Sequence, residues 1–412
     1  MGKRLDFWFD YTCPYAYIAS TQVQRLAAKT GAELTWQPML LGGVFRANDT
    51  PQNLSEVLIE PKLLHNEKDF ARWAALFGVR LHKPHSHPMR SVEALRATLA
   101  TGIDPHVIEG FYRAYWVEGR PPSDPATIKD VVKAAGHDPD AVLAKIATSE
   151  IKDDLRKRTE RAIELGVFGA PAFVVDGKEL HWGQDRMHFA FGGKVEDMLP
   201  PIVRGAHAGG RSLELFWDFS SPFAYLGATQ AEALAARTGA KLTWRPMLLG
   251  GLFKTIGQAM VPLATWSQAK QRYYAEDMER WAAYYDVPFR WPTRFPMNSV
   301  KPMRAQLALE HGHLHAHAQA AAFRAATFRA YWGEDRDISD DGVLRELLKD
   351  AGADAEAVLA QTQSPAVKKA LIDATQHAAD RGVFGAPTWV VGGEELFWGQ
   401  DRIPLVERAL VR

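Results

Sequence analysis

At two matching places a strand-like run gives way to a helical one through a sulfur or hydroxyl side chain followed by proline: Cys13-Pro14 in "FDYTCPYAYIAS" and Ser221-Pro222 in "FWDFSSPFAYLG". Each follows an alternating apolar run that reads as a strand. Each opens a stretch of helical periodicity, where proline suits the first turn. A side chain at a helix amino terminus lies among unpaired N–H groups and partial positive charge. A thiolate is stabilised there, so the pKa of Cys13 is expected to fall. The same field would hold the thiolate of a bound ligand, to which Ser221 can donate a hydrogen bond. Serine is also a preferred cap and lone cysteine a small apolar filler, so a second element must decide. That element is "GVFGAP", at 166–171 and 382–387, before a strand-like run in each case. Pro171 and Pro387 are expected to be cis, opening the backbone of Ala170 and Ala386 to an extended peptide ligand.

The pairs recur because the sequence is written twice. "TWQPMLLGGVF" returns as "TWRPMLLGGLF", and "WGQDR" stands at both 182–186 and 398–402. The offset is 208 residues through Arg96/Arg304 and 216 from Tyr115/Tyr331, so the second copy carries eight extra residues near "LEHGHLHAHAQ". Within a copy the order is strand, helix to about Lys29 closed by Gly31, strand, a long helical stretch, two strands joined at Asp-Gly, and a final helix. The pattern predicts an α/β protein: a tandem duplication of a thioredoxin-like fold, each copy with an inserted all-helical domain. The first repeat is expected over 1–204, with its core at about 1–47 and 166–204 and its insert at 48–165. A linker follows at 205–211, then the second repeat at 212–412, with its core at 212–255 and 382–412 and its insert at 256–381.

Length and composition bound the rest. The 412 residues suit two domains, and 49 basic against 49 acidic residues give no reason to expect nucleic acid or an anionic membrane as partner. With a single cysteine there is no intrachain disulfide and no resolving thiol, which rules out a dithiol exchanger. No amino-terminal apolar run or membrane span is visible, so a soluble cytoplasmic protein is expected. No phosphate-binding loop occurs. The histidines at 311, 313, 315 and 317 read as a solvated helix extension, "HKPHSHP" (82–88) as a proline-broken loop, and no metal is expected.

"DFSSPFAYLG", "GVFGAPTWVV" and "WGQDR" together resemble the DsbA-related family of kappa-class glutathione transferases and 2-hydroxychromene-2-carboxylate isomerases; "MERWAAYYDVPFRWP", "FPMNS" and "YWGED" fit the same family. The resemblance covers both copies and implies glutathione as cosubstrate. It implies that the Ser221 hydroxyl stabilises the glutathione thiolate, with Pro222 and Phe223 beside it. Ala386, before Pro387, would pair with the ligand backbone, Gln400 and Asp401 would hold the γ-glutamyl end, and Arg402 would be a further glutathione-binding position. Lys270 would lie near the glycyl carboxylate. Gln258 stands where the family usually has asparagine. Asn298 and Trp398 would belong to the pocket for a small hydrophobic or aromatic substrate.

The first copy keeps Pro14, Tyr15, Lys62, Ala170, Pro171, Gln184, Asp185 and Arg186 as matching glutathione-binding positions, but Cys13 replaces the serine, Thr50 stands opposite Gln258 and Arg90 replaces the asparagine. The resemblance therefore implies a glutathione-dependent isomerase or transferase. In the isomerase version sulfur adds to the substrate and is later eliminated; in the transferase version the thioether leaves. The alternatives are a monothiol glutathione-dependent oxidoreductase acting through Cys13 and a non-catalytic glutathione-binding protein. Family members commonly pair as homodimers, so the tandem chain is expected to form a pseudo-dimer within itself.

Overall fold

The computed structural model describes residues 2–53, 56–205, 210–311 and 317–412. Residues 206–209 of the expected linker, and His313 and His315 of the histidine run, lie outside them. The chain forms two compact units. The first comprises Met1–Leu58, Asn66–Pro201 and Ser267–Tyr273; the second comprises Ile59–His65, Ile202–Trp266 and Tyr274–Arg412. Two short segments thus change places: each copy's helical stretch cedes a piece to the unit built by the other copy.

The first unit is organised on a four-stranded sheet of order β2-β1-β3-β4. Strand β1 (Arg4–Phe9) pairs in parallel with β2 (Glu33–Pro38) and antiparallel with β3 (Ala172–Val175), which turns into β4 (Glu179–Trp182). The β3–β4 turn is Asp176-Gly177, with φ of 50° and 71°. Two successive positive values are what a tight hairpin with right-handed strand twist requires. The helix Pro14–Thr30 connects β1 to β2 and ends on Gly31 in the left-handed conformation, φ 71°. Phe7 centres the core, 5.1 Å from Trp36 and 5.2 Å from Phe173 between ring centres. Burying an aromatic ring of this size contributes about 2–3 kcal/mol.

The helical residues between β2 and β3 are tied to the sheet end by the Trp116 indole, which donates to the Tyr11 carbonyl at 2.8 Å. This bond fixes the loop that carries Cys13.

The second unit repeats the plan with order β6-β5-β7-β8. Its strands are β5 (Ser212–Trp217), β6 (Lys241–Pro246), β7 (Thr388–Val391) and β8 (Glu395–Trp398). The helix Pro222–Thr238 joins β5 to β6 and ends on Gly239, φ 69°. Trp332 donates to the Phe219 carbonyl at 2.8 Å, as Trp116 does to Tyr11. Among the described residues no helix is long and apolar enough to cross a membrane, and no group of three or more His, Cys, Asp or Glu could hold a metal.

Candidate functional site

Between the first strand and first helix of each unit the chain turns on a buried aspartate. In the second unit Asp218 Oδ1 accepts the Ser220 N–H at 2.9 Å and Oδ2 accepts the Leu249 N–H at 2.6 Å. In the first, Asp10 accepts the Thr12 N–H at 3.0 Å and the Leu41 N–H at 2.8 Å. Burial pushes both carboxyls above the ordinary aspartate value, and these N–H groups pull them back in part. The two aspartates brace the turn that presents Cys13 and Ser221. No motif of the sequence marks them as functional, although both copies keep them.

Ser221 is 3% exposed. Its Oγ accepts the Ala224 N–H at 3.1 Å and donates to the Ala386 carbonyl at 2.9 Å. One hydroxyl therefore caps the helix and reaches the backbone before Pro387. Cys13 Sγ likewise donates to the Ala170 carbonyl, at 3.0 Å, but makes no capping hydrogen bond.

The expected fall in the thiol's pKa does not occur. Burial pushes Cys13 up to about 12, and the N–H groups of Ala16 and Tyr15 offset this only in part. Desolvation outweighs the helix amino terminus because the sulfur is enclosed, and the thiol stays protonated.

The Ala170–Pro171 and Ala386–Pro387 bonds are both cis. In each unit a tryptophan and a tight turn pack beside this proline loop. Strand β8 ends at Trp398, whose indole lies 5.0 Å from Phe384 between ring centres. A side chain at Gly385 would sit 2.5 Å from Trp398 Nε1. Gly399 has φ 108°, and a Cβ there would run into Asp401 Oδ1. Its N–H donates to the Pro387 carbonyl at 2.9 Å, joining the turn Gln400–Arg402 to the cis-proline loop.

Asp401 pairs with Arg402 at 3.1 Å, as Asp185 pairs with Arg186 at 3.0 Å. Gln400 and Gln184 are 1% and 3% exposed, and the side-chain amide nitrogen of each is buried without a hydrogen-bond partner. Trp398 Nε1 and Gln258 Oε1 are buried and unpartnered too. A buried amide without a partner costs about 1–3 kcal/mol, which a polar ligand can recover.

The lysines are exchanged relative to the family-based expectation, which set Lys270 beside Ser221 and Lys62 beside Cys13. Lys62 lies in Ile59–His65 and so belongs to the second unit, with Nζ 5.1 Å from the centre of the Trp398 ring. Lys270 lies in Ser267–Tyr273 and belongs to the first unit, 5.6 Å from the Trp182 ring. Burial pulls the Lys62 ammonium below the ordinary lysine value.

Phe223 meets Tyr274 at 5.8 Å, and Tyr274 meets Trp266 at 4.6 Å, which makes a half-buried aromatic wall next to Pro222. Its counterpart Tyr15 instead donates to Asp69 at 3.1 Å. Asn298 is exposed, and its side-chain oxygen accepts the Val300 N–H at 3.0 Å, which starts a helix. A void of about 10 Å³ beside Gln184 and Asp185 has room for roughly one water. A recess of about 310 Å³ in the first unit is lined by Asp6, Trp8, Arg158 and Arg161, apart from the Cys13 turn.

The braced turn, helix start, cis-proline loop and closing hairpin lie, in each copy, within a stretch that one family model matches. The profile described as DSBA-like thioredoxin domain covers residues 4–191 and again 212–411. The chain belongs to that family. It is 31% identical over 207 residues to a 2-hydroxychromene-2-carboxylate isomerase of Sphingobium xenophagum, which spans 49% of this chain and 98% of that protein. It is 28% identical over 213 residues to glutathione S-transferase kappa 1 of Homo sapiens, spanning 48% of this chain and 91% of that protein. A solved 2-hydroxychromene-2-carboxylate isomerase is 27% identical, with a TM-score of 0.43, and covers 48% of this chain and 94% of that one. Each relative thus corresponds to about half of this chain.

Proposed function

We propose that the second unit is a glutathione-dependent isomerase or transferase site acting on a small electrophilic, aromatic substrate. The carrying observation is the Ser221 hydroxyl, which sits at a helix start and donates at 2.9 Å to the carbonyl before Pro387. The hydroxyl hydrogen is free to rotate, so the same donor can turn from Ala386 to a ligand sulfur. The residues around it suit the tripeptide. Gln400 holds a buried amide in need of an acceptor, and Trp398 Nε1 and Gln258 Oε1 are likewise unsatisfied. The Asp401 carboxylate would receive the ligand's ammonium, and the half-buried Lys62 ammonium would receive a terminal carboxylate.

Bound glutathione would supply a sulfur nucleophile. Ser221 would hold it ionised by donating a hydrogen bond in a site that excludes water, where such a bond is worth more than in solution. Ala386 would align the ligand backbone, and Phe223, Tyr274 and Trp266 would face a flat acceptor. Relatives named as isomerases and as kappa glutathione transferases support the family of reactions. No observation favours the Cys13 oxidoreductase, because the thiol is buried and protonated.

The test is calorimetric titration with glutathione, followed by turnover of chromene and halo-aromatic substrates by Ser221→Ala and Cys13→Ser. Binding is expected in both variants and turnover only in Cys13→Ser. The opposite pattern of turnover would move the chemistry to the first unit, and binding without turnover in the wild type would leave a binding protein.

A further inference from the structure

In the second unit His65 touches both arms of the proposed site. Its Nε2 accepts the Trp398 N–H at 3.1 Å. Its ring meets Phe384, of the cis-proline loop, at 5.4 Å and Trp398 at 6.3 Å, edge to face. It is 5% exposed. The Gly399 N–H bonds inward to Pro387, so the N–H of the preceding Trp398 points outward from edge strand β8 and needs a partner there. In the first unit the equivalent N–H, of Trp182, is met by the Tyr273 hydroxyl at 3.0 Å, which also lies 3.4 Å from the Trp182 carbonyl. The two units thus solve one structural need with different chemistry. A phenol accepts an N–H bond at every physiological pH. An imidazole accepts only while that nitrogen is unprotonated, and imidazole changes charge between pH 5 and 8.

We infer that His65 is a positioning residue that makes the second unit's site sensitive to acid, while the first unit's equivalent is not. The inference rests on the glutathione reading for its effect on binding, but not for the switch itself. Neutral His65 anchors the end of β8 and so fixes the turn carrying Gln400 and Asp401. Protonation turns the acceptor into a donor, leaves the Trp398 N–H without its partner and adds a charge near the half-buried Lys62 ammonium.

Charged groups stand on every element packed around it except the cis-proline loop, and its own helix also carries Glu60, Glu67, Lys68 and Arg72, with Glu67 held by Lys83. On its own helix, Lys62 stands one turn before, over the Trp398 ring, and Asp69 one turn after, engaged by Tyr15. On β8, Glu395 is held by Arg211 and Arg412; on the following turn, Asp401 is held by Arg402. The cis-proline loop supplies only apolar and glycyl residues, with Arg381 before it tied to Glu214.

The experiment uses the full chain labelled with 15N-tryptophan, titrated downward from about pH 7.5 for as long as the chain stays folded. The Trp398 amide resonance is expected to move with the same midpoint as the His65 ring, while the Trp182 amide stays still. A Trp398 amide that stays still while His65 titrates overturns the inference, as does a His65 that never titrates. In parallel, glutathione affinity measured by calorimetry should weaken at least about fivefold over that range in the wild type and less than about twofold in His65→Tyr, which copies the first unit. Equal weakening in both proteins also overturns it. Failure to bind glutathione at either pH sinks the functional reading and leaves the resonance titration to decide the switch.

Discussion

Replacing Ser221 by alanine removes one atom that makes two bonds, and the consequences separate into stability and chemistry. The Oγ accepts the Ala224 N–H at 3.1 Å, which caps the helix Pro222–Thr238. Losing such a cap costs about 1 kcal/mol. The Ala386 carbonyl also loses its 2.9 Å donor in a buried place, which adds up to about 1 kcal/mol. The sum, about 1–2 kcal/mol, lowers Tm by about 3–6 °C for a unit of this size. The chemical term is larger. A hydrogen bond to an ionised group contributes about 1.5–3 kcal/mol, equivalent to a rise of about one to two units in the pKa of bound glutathione's thiol. At neutral pH the thiolate population then falls about 10–150-fold. The assay is ultraviolet absorbance of the thiolate, followed through a pH titration of the complex for wild type and variant. If the bound thiol ionises at the same pH in both, Ser221 does not stabilise the sulfur and the proposed role is wrong, whatever happens to Tm.

Three further outcomes are expected. Cys13→Ser should stabilise the first unit by about 0.5–1 kcal/mol, since serine at that position can form the cap that the sulfur does not, as read by thermal unfolding. The wild-type thiol, with its folded pKa at about 12, binds its proton more tightly than the unfolded thiol near about 8.5. Its contribution is therefore full below the unfolded value and is lost as pH rises toward the folded one; denaturant titrations should show about 2 kcal/mol lost between about pH 8 and 10 that Cys13→Ser does not lose. Lys62→Met should weaken glutathione binding at the Ser221 site about 10–100-fold in calorimetry, and Lys270→Met should leave it unchanged, the reverse of what copy membership suggests. Gly399→Ala, which forces a side chain into φ 108° and against Asp401, should cost about 1–3 kcal/mol and disable glutathione binding, whereas Gly183→Ala should cost as much stability and spare it.

Much of the fold was legible because its signals are local. The alternation in "LDFWFD", the proline opening each first helix, Gly31 and the Asp-Gly hairpin act over a few residues, and the structure has a strand, a helix, a cap and a turn at those places. The repeat was legible because identical strings fold identically.

What local pattern could not carry was enclosure and exchange. The pKa of Cys13 depends on how completely distant residues surround the sulfur, and burial reversed the sign expected from the helix end alone. The side on which Lys62 and Lys270 act depends on which unit their segments join, and nothing in "EPKLLH" or "QAKQRYY" states that. The aspartates at 10 and 218 were legible in principle, since both copies keep them, but their bonds reach to Leu41 and Leu249, 31 residues on in each case.

The exchanged seven-residue segments have a consequence for how such a protein can diverge. When two identical chains lend each other a piece, one substitution alters both recipients together. Here both pieces are written into a single chain, so position 65 could settle on histidine while position 273 settled on tyrosine. Within a single chain neither half has to match its twin, and the half that carries Ser221 can differ in its responses from the half that carries Cys13.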